Sequence, residues 1–235
     1  MDITPPGSAG QPYARSRSYW AGSGNVGQVW FLCDPIGIGS PSLVTLPNEQ
    51  GVVFTLNPKM KGSPGVFHLG APDPGAGQIY WPLNHPPYQP GNLHAFNPGV
   101  LASTEDAFTP TFTSINFGDS DLNCRWVART RLMGFSNRRT FLVTQAADGG
   151  LEYRTFDFRD APTAKAVEPD GAQRSTQPSL DIRGGRETTA GFTFANKGYS
   201  YEVAAGPGGG EVVISRHGER IATEDLIAWT VAPKP

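Results

Sequence analysis

The sequence lacks long apolar runs: no stretch approaches 18 consecutive apolar residues, so no transmembrane helix is predicted. Charge is also scarce, since charged residues make up 17% of the chain and the formal net charge is -2. Such a balance gives no reason to expect a nucleic acid or an anionic membrane as partner. Both function classes are therefore excluded at this stage.

An export signal is missing as well, because the N-terminus has neither a positively charged start nor an apolar core. Two interpretations remain open: a cytoplasmic protein, or a mature chain whose signal has been removed. The chain has only 5 Lys and 2 Cys, and Gly, Pro, Ser and Thr are abundant. This composition favours the periplasmic or extracellular alternative.

Signatures of common chemistries are absent too. No G-x-S-x-G elbow is present, and the G-x-G-x-x-G match at 22–27 precedes a strand instead of joining a strand to a helix. Two Cys and four His show no metal-ligand spacing, so no cofactor or metal is expected. A glycan-active hydrolase remains as an alternative, with candidate loop carboxylates at Asp157, Asp160, Glu187, Glu224 and Asp225.

Glycine and proline, by contrast, are plentiful: 29 Gly and 22 Pro exceed a fifth of the chain, and aromatic residues make up 11%. Many turns together with enough large side chains to form a core predict an all-β protein, an antiparallel sandwich or barrel. The clearest hairpin has strands at 140–144 and 151–158 around the turn Asp148-Gly149-Gly150. A strand meander is predicted over 191–231.

The predicted organisation has three parts. Residues 1–19 form a flexible arm, 20–118 a first β module with a long Pro-rich loop at 84–110, and 119–235 a second module with a polar loop at 159–187. Leu43-Val44-Thr45 followed by Gly51 has the same spacing as Leu142-Val143-Thr144 followed by Gly150. This favours two similar modules in tandem, although any two hairpins share such residues.

Two surfaces are candidates for binding. The first is the 84–110 loop, which carries His85, Tyr88, His94 and Phe96. The second is a run of arginines that includes Arg125, Arg138 and Arg139. These arginines could form a patch for an acidic partner or could pair across strands with carboxylates, and the second alternative is favoured.

The cysteines allow one pairing. In an exported protein a Cys33–Cys124 disulfide is expected, whereas in a cytoplasmic protein both residues would be buried thiols.

Residues 28–124 contain V-W-F-L-C, G-A-G-Q-I-Y-W and D-L-N-C in that order. In these motifs the segment resembles the membrane-bound or periplasmic inhibitors of c-type lysozyme, which are small antiparallel barrels closed by a disulfide. The resemblance implies a barrel here. The inhibitors present a loop serine to the enzyme, but the corresponding residues 71–77 read A-P-D-P-G-A-G, so no functional residue is carried over.

The leading functional prediction is a non-enzymatic binding protein of the cell envelope or exterior, with a protein or glycan partner. The alternatives are the hydrolase and a structural subunit of a larger assembly. The sequence gives no prediction of oligomeric state.

Overall fold

A computed structural model describes residues 16–22, 24–36, 41–56, 65–87, 89–117, 121–158 and 177–234. The described residues confirm the all-β prediction. They form twenty strands in two curled antiparallel sheets, together with two short 3-10 turns at Pro98–Val100 and Thr104–Asp106.

The first sheet has nine strands. Its order is β11-β10-β9-β8-β6-β5-β4-β3, with β7 pairing to β8. The strands are β3 (Phe31–Cys33), β4 (Ser42–Val44), β5 (Val52–Leu56), β6 (Gly65–Leu69), β7 (Asp73–Pro74), β8 (Gln78–Asn84), β9 (Gly91–Phe96), β10 (Phe112–Asn116) and β11 (Asp121–Asn123).

The second sheet has eleven strands in the order β19-β18-β17-β16-β15-β14-β13-β12-β20-β1-β2. They are β1 (Arg17–Gly22), β2 (Asn25–Val29), β12 (Thr130–Phe135), β13 (Arg139–Gln145), β14 (Leu151–Asp157), β15 (Leu180–Glu187), β16 (Gly191–Asn196), β17 (Tyr199–Gly206), β18 (Gly209–Arg216), β19 (Glu219–Asp225) and β20 (Ala228–Val231). The predicted hairpin is confirmed as β13 and β14, and the predicted meander as β16 to β19. Its predicted last strand, β20, instead lies between β12 and β1.

The two ends of the first sheet meet at the cysteines. Pro35 forms an antiparallel bridge with Cys124, and the Ile36 amide donates to the Asn123 carbonyl over 2.7 Å. The Cys33–Cys124 disulfide joins the same ends across 91 residues of sequence. The predicted disulfide is therefore confirmed, and it closes the curled sheet around the first core cluster, which includes Trp30, Trp81 and Phe112.

One apolar run connects the two sheets. Residues 29–33 are all buried because the chain leaves the second sheet after β2 and enters the first at β3. In β3, Phe31 and Cys33 face the first core cluster, while Leu32 faces a third cluster shared with the second sheet. Burial on both faces explains why this strand reads as a continuous apolar run. The third cluster comprises Val29, Leu32, Leu43, Met133, Phe135, Leu142, Phe156, Phe158 and Ala228.

The Pro-rich segment 84–110 is not one long loop. It contains β9, in which Leu93 and Ala95 are fully buried while His94 and Phe96 alternate onto the other face. The period of two was present in the sequence, but the surrounding prolines obscured it. That part of the loop prediction was wrong.

Strands also replace the predicted irregular structure at two other places. Arg17 to Tyr19 of the predicted arm belong to β1, which pairs with β20 at the far end of the chain, and Ser18 and Thr230 share a buried 2.7 Å hydrogen bond between their hydroxyls. Residues 180–187 of the predicted polar loop form β15, where only Ile182 is buried. The partner of β1 lies at the other end of the chain, and β15 is largely solvated, so neither strand is recognisable from the local sequence pattern. Residues 1–15 and 159–176 lie outside the described residues.

Proline is normally confined to the edges of sheets, but Pro82 lies in β8, inside the first sheet. Its missing amide is tolerated because β6 pairs with residues 83–84 and β7 with residues 79–80, so neither neighbour pairs with Pro82 on that side. On the other side Pro82 lies opposite Asn92.

The segments proposed as a repeat form hairpins in different sheets. Leu43 pairs with Leu56, thirteen residues on, whereas Leu142 pairs with Arg154, twelve residues on. The two registers therefore differ by one residue, and the tandem relationship stays a prediction. Among the described residues, no helix has the length and apolar character needed to cross a membrane.

Candidate aromatic binding face

The outer surface of the first sheet carries a group of aromatic rings. Strand alternation turns Leu93 and Ala95 of β9 into the core and leaves His94 and Phe96 on the outside. Across the ladder His94 lies opposite Tyr80 of β8, and Phe96 lies opposite Gln78. Two neighbouring strands thus place three rings on one surface.

Direct ring contacts join these residues in two pairs. Tyr80 and His94 stack with their centroids 4.6 Å apart, and Phe96 meets Trp126 edge to face at the same distance. The Trp126 indole donates to the Thr109 carbonyl over 3.5 Å. Tyr80 is 39% exposed, whereas the other three rings are half-buried. These four residues, Tyr80, His94, Phe96 and Trp126, are called the aromatic face.

A β-bulge fixes the orientation of His94. The register shifts between Phe112 and Ser114, which brings the Thr113 hydroxyl to 3.0 Å from His94 Nδ1. His94 Nε2 is shielded from solvent and has no hydrogen-bond partner among the described residues. Burial lowers the pKa of His94, so the ring favours its neutral form.

Polar side chains surround the rings. One cross-strand row runs Asp73, Tyr80, His94, Ser114 and Asn123, and the next runs Pro82, Asn92, Asn116 and Asp121. Amides and hydroxyls predominate, and the two carboxylates lie at the margins, where Asn116 donates to Asp121. Neither row contains a lysine or an arginine.

The other loop candidates lie elsewhere. His85 is half-buried and meets the Phe67 ring edge to face at 5.3 Å, next to Phe117. Tyr88 lies outside the described residues. Of the four residues predicted in the 84–110 segment, the structure brings together His94 and Phe96.

The candidate arginines are spread over the molecule. Arg125 is buried, with its Nε 2.8 Å from Asp34 Oδ2 and its guanidinium carbon 3.6 Å from the centroid of the Phe156 ring. Arg138 is exposed in the turn between β12 and β13. Arg139 contacts the carboxylates of Asp157 and Glu224, at 3.2 and 3.3 Å.

Cross-strand pairing describes the arginines that lie on strands. Arg139 lies opposite Asp157, and Arg154 opposite Asp181, in the ladder of the second sheet, and both pairs are in ion-pair contact. Off the strands, Arg129 pairs with Asp106. Most of this charge is therefore neutralised within the chain.

Two of the carboxylates considered for the hydrolase alternative contact the same arginine. Asp157 and Glu224 both contact Arg139, and Ser136 donates a 2.9 Å hydrogen bond to Glu224. Both carboxylates are therefore engaged by side chains of the same sheet. Glu187 pairs with Arg131, Asp225 is exposed, and Asp160 lies outside the described residues.

The tyrosine beside this cluster is unsuited to proton transfer. Burial is the main cause that raises the pKa of Tyr153. The phenol stays protonated at neutral pH, and its ring packs against Phe194 with centroids 5.1 Å apart.

Sequence reasoning missed Tyr80 and Trp126. Tyr80 lies in the motif G-A-G-Q-I-Y-W, and its alternation with Ile79 and Trp81 would have placed it on the outer face of a strand. Trp126 has no such signal, because it lies after β11 and reaches Phe96 only through the fold.

No group of three or more His, Cys, Asp or Glu side chains that could hold a metal occurs in the described part of the chain. In comparisons with protein families, curated proteins and solved structures, nothing matches this chain significantly.

Proposed function

We propose that this chain is a non-catalytic binding protein of an oxidising compartment outside the cytoplasm, and that it binds a neutral glycan on its aromatic face. The observation that carries the proposal is two ring pairs on one face of the first sheet, in which Tyr80 stacks on His94 and Phe96 packs against Trp126. The resemblance of residues 28–124 to lysozyme inhibitors stays a prediction.

The surface suits sugars chemically. One face of a sugar ring presents C–H groups, which pack against aromatic rings, while its hydroxyls need both donors and acceptors. Side chains of Gln78, Ser114 and Asn123 border the rings and supply both. Strand ladders keep these groups in place, so little side-chain freedom is lost on binding.

Size and charge favour a neutral glycan over the other partner classes. A stable protein interface buries at least about 1,000 Å² around a desolvated apolar core. Only Tyr80 of the four rings is more than a third exposed. An anionic ligand is disfavoured because Asp73 and Asp121 border the rings without a nearby cation in either row.

The compartment is inferred from the Cys33–Cys124 disulfide. Such bonds persist in the periplasm or outside the cell and are rare where thiols are kept reduced. Scarce lysine agrees with this inference.

The test is a titration of the purified chain with a panel of soluble neutral polysaccharides, followed by calorimetry. For the ligand that binds, Tyr80→Ala weakens affinity about tenfold, since a stacked ring contributes on the order of 1 kcal/mol beyond its buried area. Val66→Ala is the matched control, because Val66 is equally exposed on the same sheet but lies on β6. Its affinity stays within twofold of the wild type.

Absence of binding across the panel would overturn the proposal, as would equal affinity of Tyr80→Ala, Phe96→Ala and the wild type. Release of reducing sugar ends that disappears in Glu224→Gln would instead establish the hydrolase alternative.

A further inference from the structure

A second surface lies at one end of the second sheet, where two hairpin tips touch. The hairpins β16–β17 and β18–β19 turn at Lys197-Gly198 and His217-Gly218. The His217 amide donates to the Gly198 carbonyl over 3.1 Å. A Cβ on Gly198 would lie 3.0 Å from His217 Cε1, so the imidazole covers the neighbouring tip.

Both tips hold a basic residue in a backbone conformation that such residues rarely adopt. Lys197 has φ 51° and His217 has φ 50°, and each is followed by a glycine with φ above 80°. Two successive positive φ angles define the type I′ hairpin turn, whose first position prefers Asn, Asp or Gly. Lysine and histidine here give up local stability, a cost that proteins retain mainly at functional sites.

Basic side chains gather around these tips. Arg216 lies opposite Tyr199 in the ladder, with its guanidinium carbon 5.3 Å from the ring centroid. Arg220 follows on β19, opposite Ser215. Neither Lys197 nor Arg220 forms an ion pair with any described residue. Arg220 lies on the other face of the sheet from Arg216, and Glu219 lies opposite Arg216 in the ladder.

The cluster runs against the charge of the whole chain, which is -2. Arg139, Arg154 and Arg183 on other strands of the same sheet contact carboxylates, whereas no ion pair of Lys197, Arg216 or Arg220 occurs among the described residues. The tip between β17 and β18, at Pro207-Gly208, carries no charged side chain. Positive charge is thus concentrated at the end where the two strained turns meet.

We propose that Lys197, Arg216 and His217 form a binding site for phosphate or sulfate ester groups carried on an anionic glycan. The lysine ammonium attracts such oxyanions as a compact charge, the planar guanidinium donates two hydrogen bonds, and imidazole adds a further donor. The contact between the two tips places these turns next to each other. The site is separate in sequence and in sheet from the aromatic face and does not depend on the proposed function.

The experiment measures binding of the full chain to a size-defined heparin fragment, as a sulfated glycan, at two salt concentrations. Inorganic phosphate and sulfate are used as competitors, and dextran is the uncharged control. The key variant is the double substitution Lys197→Asn with His217→Asn. Asparagine suits the turn, so this variant removes both basic tip side chains without harming the fold.

The expected result combines two opposite changes. The double variant binds the heparin fragment at least tenfold more weakly, while its melting temperature rises by about 2–4 °C because the turn strain is relieved. Arg183→Gln is the matched control, since Arg183 is a cation 77% exposed on β15 away from the tips. Its affinity remains within twofold of the wild type.

Two outcomes would overturn the proposal. One is unchanged heparin affinity in the double variant. The other is an equal loss of heparin affinity in Arg183→Gln, which would show that binding depends only on the net charge of the protein. Competition by inorganic phosphate or sulfate at millimolar concentration supports recognition of the ester group itself, whereas equal binding of dextran contradicts it.

Discussion

Arg125 shows how a charge that reads as a surface feature can be part of the interior. Its side chain is 8% exposed, its Nε lies 2.8 Å from a carboxylate oxygen of Asp34, which is 1% exposed, and it covers the Phe156 ring. A buried pair of this kind adds little net stability compared with an apolar pair, but removal of one partner leaves an uncompensated charge. Since Asp34 follows Cys33 and Arg125 follows Cys124, the pair reinforces the same junction as the disulfide.

We therefore expect Arg125→Met to lower the free energy of unfolding by about 3–5 kcal/mol. Methionine retains much of the apolar stem, so the loss comes from the buried ion pair with Asp34. Equilibrium urea denaturation measures it. Arg183→Met is the control: Arg183 pairs with Glu152 while 77% exposed, and such pairs contribute at most about 1 kcal/mol. Equal small losses of stability in Arg125→Met and Arg183→Met would contradict the assignment of Arg125 to a buried ion pair.

Among the strands, β3 has the most demanding position. It ends the first sheet, it continues the chain from the second sheet, and both of its faces are buried. With three residues, β3 forms a short hydrogen-bonded ladder with β4, which is a weak attachment for a strand in this position. The bridge from Pro35 to Cys124 and the disulfide extend the attachment beyond the strand itself.

Replacing both cysteines, Cys33→Ala with Cys124→Ala, should lower the free energy of unfolding by about 4–5 kcal/mol, because the bond closes a segment of 91 residues in the unfolded chain. Urea denaturation of the double variant, with and without reductant, gives the value. The reduced wild type should match the double variant. If the free energy of unfolding of the double variant lies within about 1 kcal/mol of the oxidised wild type, the strand ladder and the Arg125–Asp34 ion pair close the sheet without the disulfide.

At the level of the whole molecule, the third core cluster joins the two sheets. Phe135 of the second sheet and Leu43 of the first are fully buried in it. A shared apolar cluster and a chain that crosses between the sheets at Trp30 couple the two sheets. Coupling of this kind makes unfolding cooperative.

We expect a single unfolding transition by tryptophan fluorescence and circular dichroism, and a loss of about 3–5 kcal/mol in Phe135→Ala. Ile221→Ala, at a 53% exposed position of β19, should change stability by less than about 0.5 kcal/mol. Two transitions in the wild type, of which Phe135→Ala moves only one, would show that the sheets unfold separately.

Local patterns determined a large part of this protein. Glycine and proline content with aromatic alternation predicted an all-β chain, Asp148-Gly149-Gly150 predicted the β13–β14 hairpin, and two cysteines allowed one disulfide. The strands follow from a period of two in the sequence, and the hairpin follows from the conformations that its turn residues favour; both patterns lie within a few residues. The disulfide follows because two cysteines allow one pairing.

Only the tertiary structure decided which of these local elements meet. It paired β1 with β20 across the whole chain, brought Trp126 to Phe96, and buried Arg125 against Asp34. It also paired Arg139 and Arg154 with carboxylates and brought two hairpin tips with basic side chains into contact. Contacts between residues far apart in sequence depend on how the sheets curl and pack, and no local pattern records that.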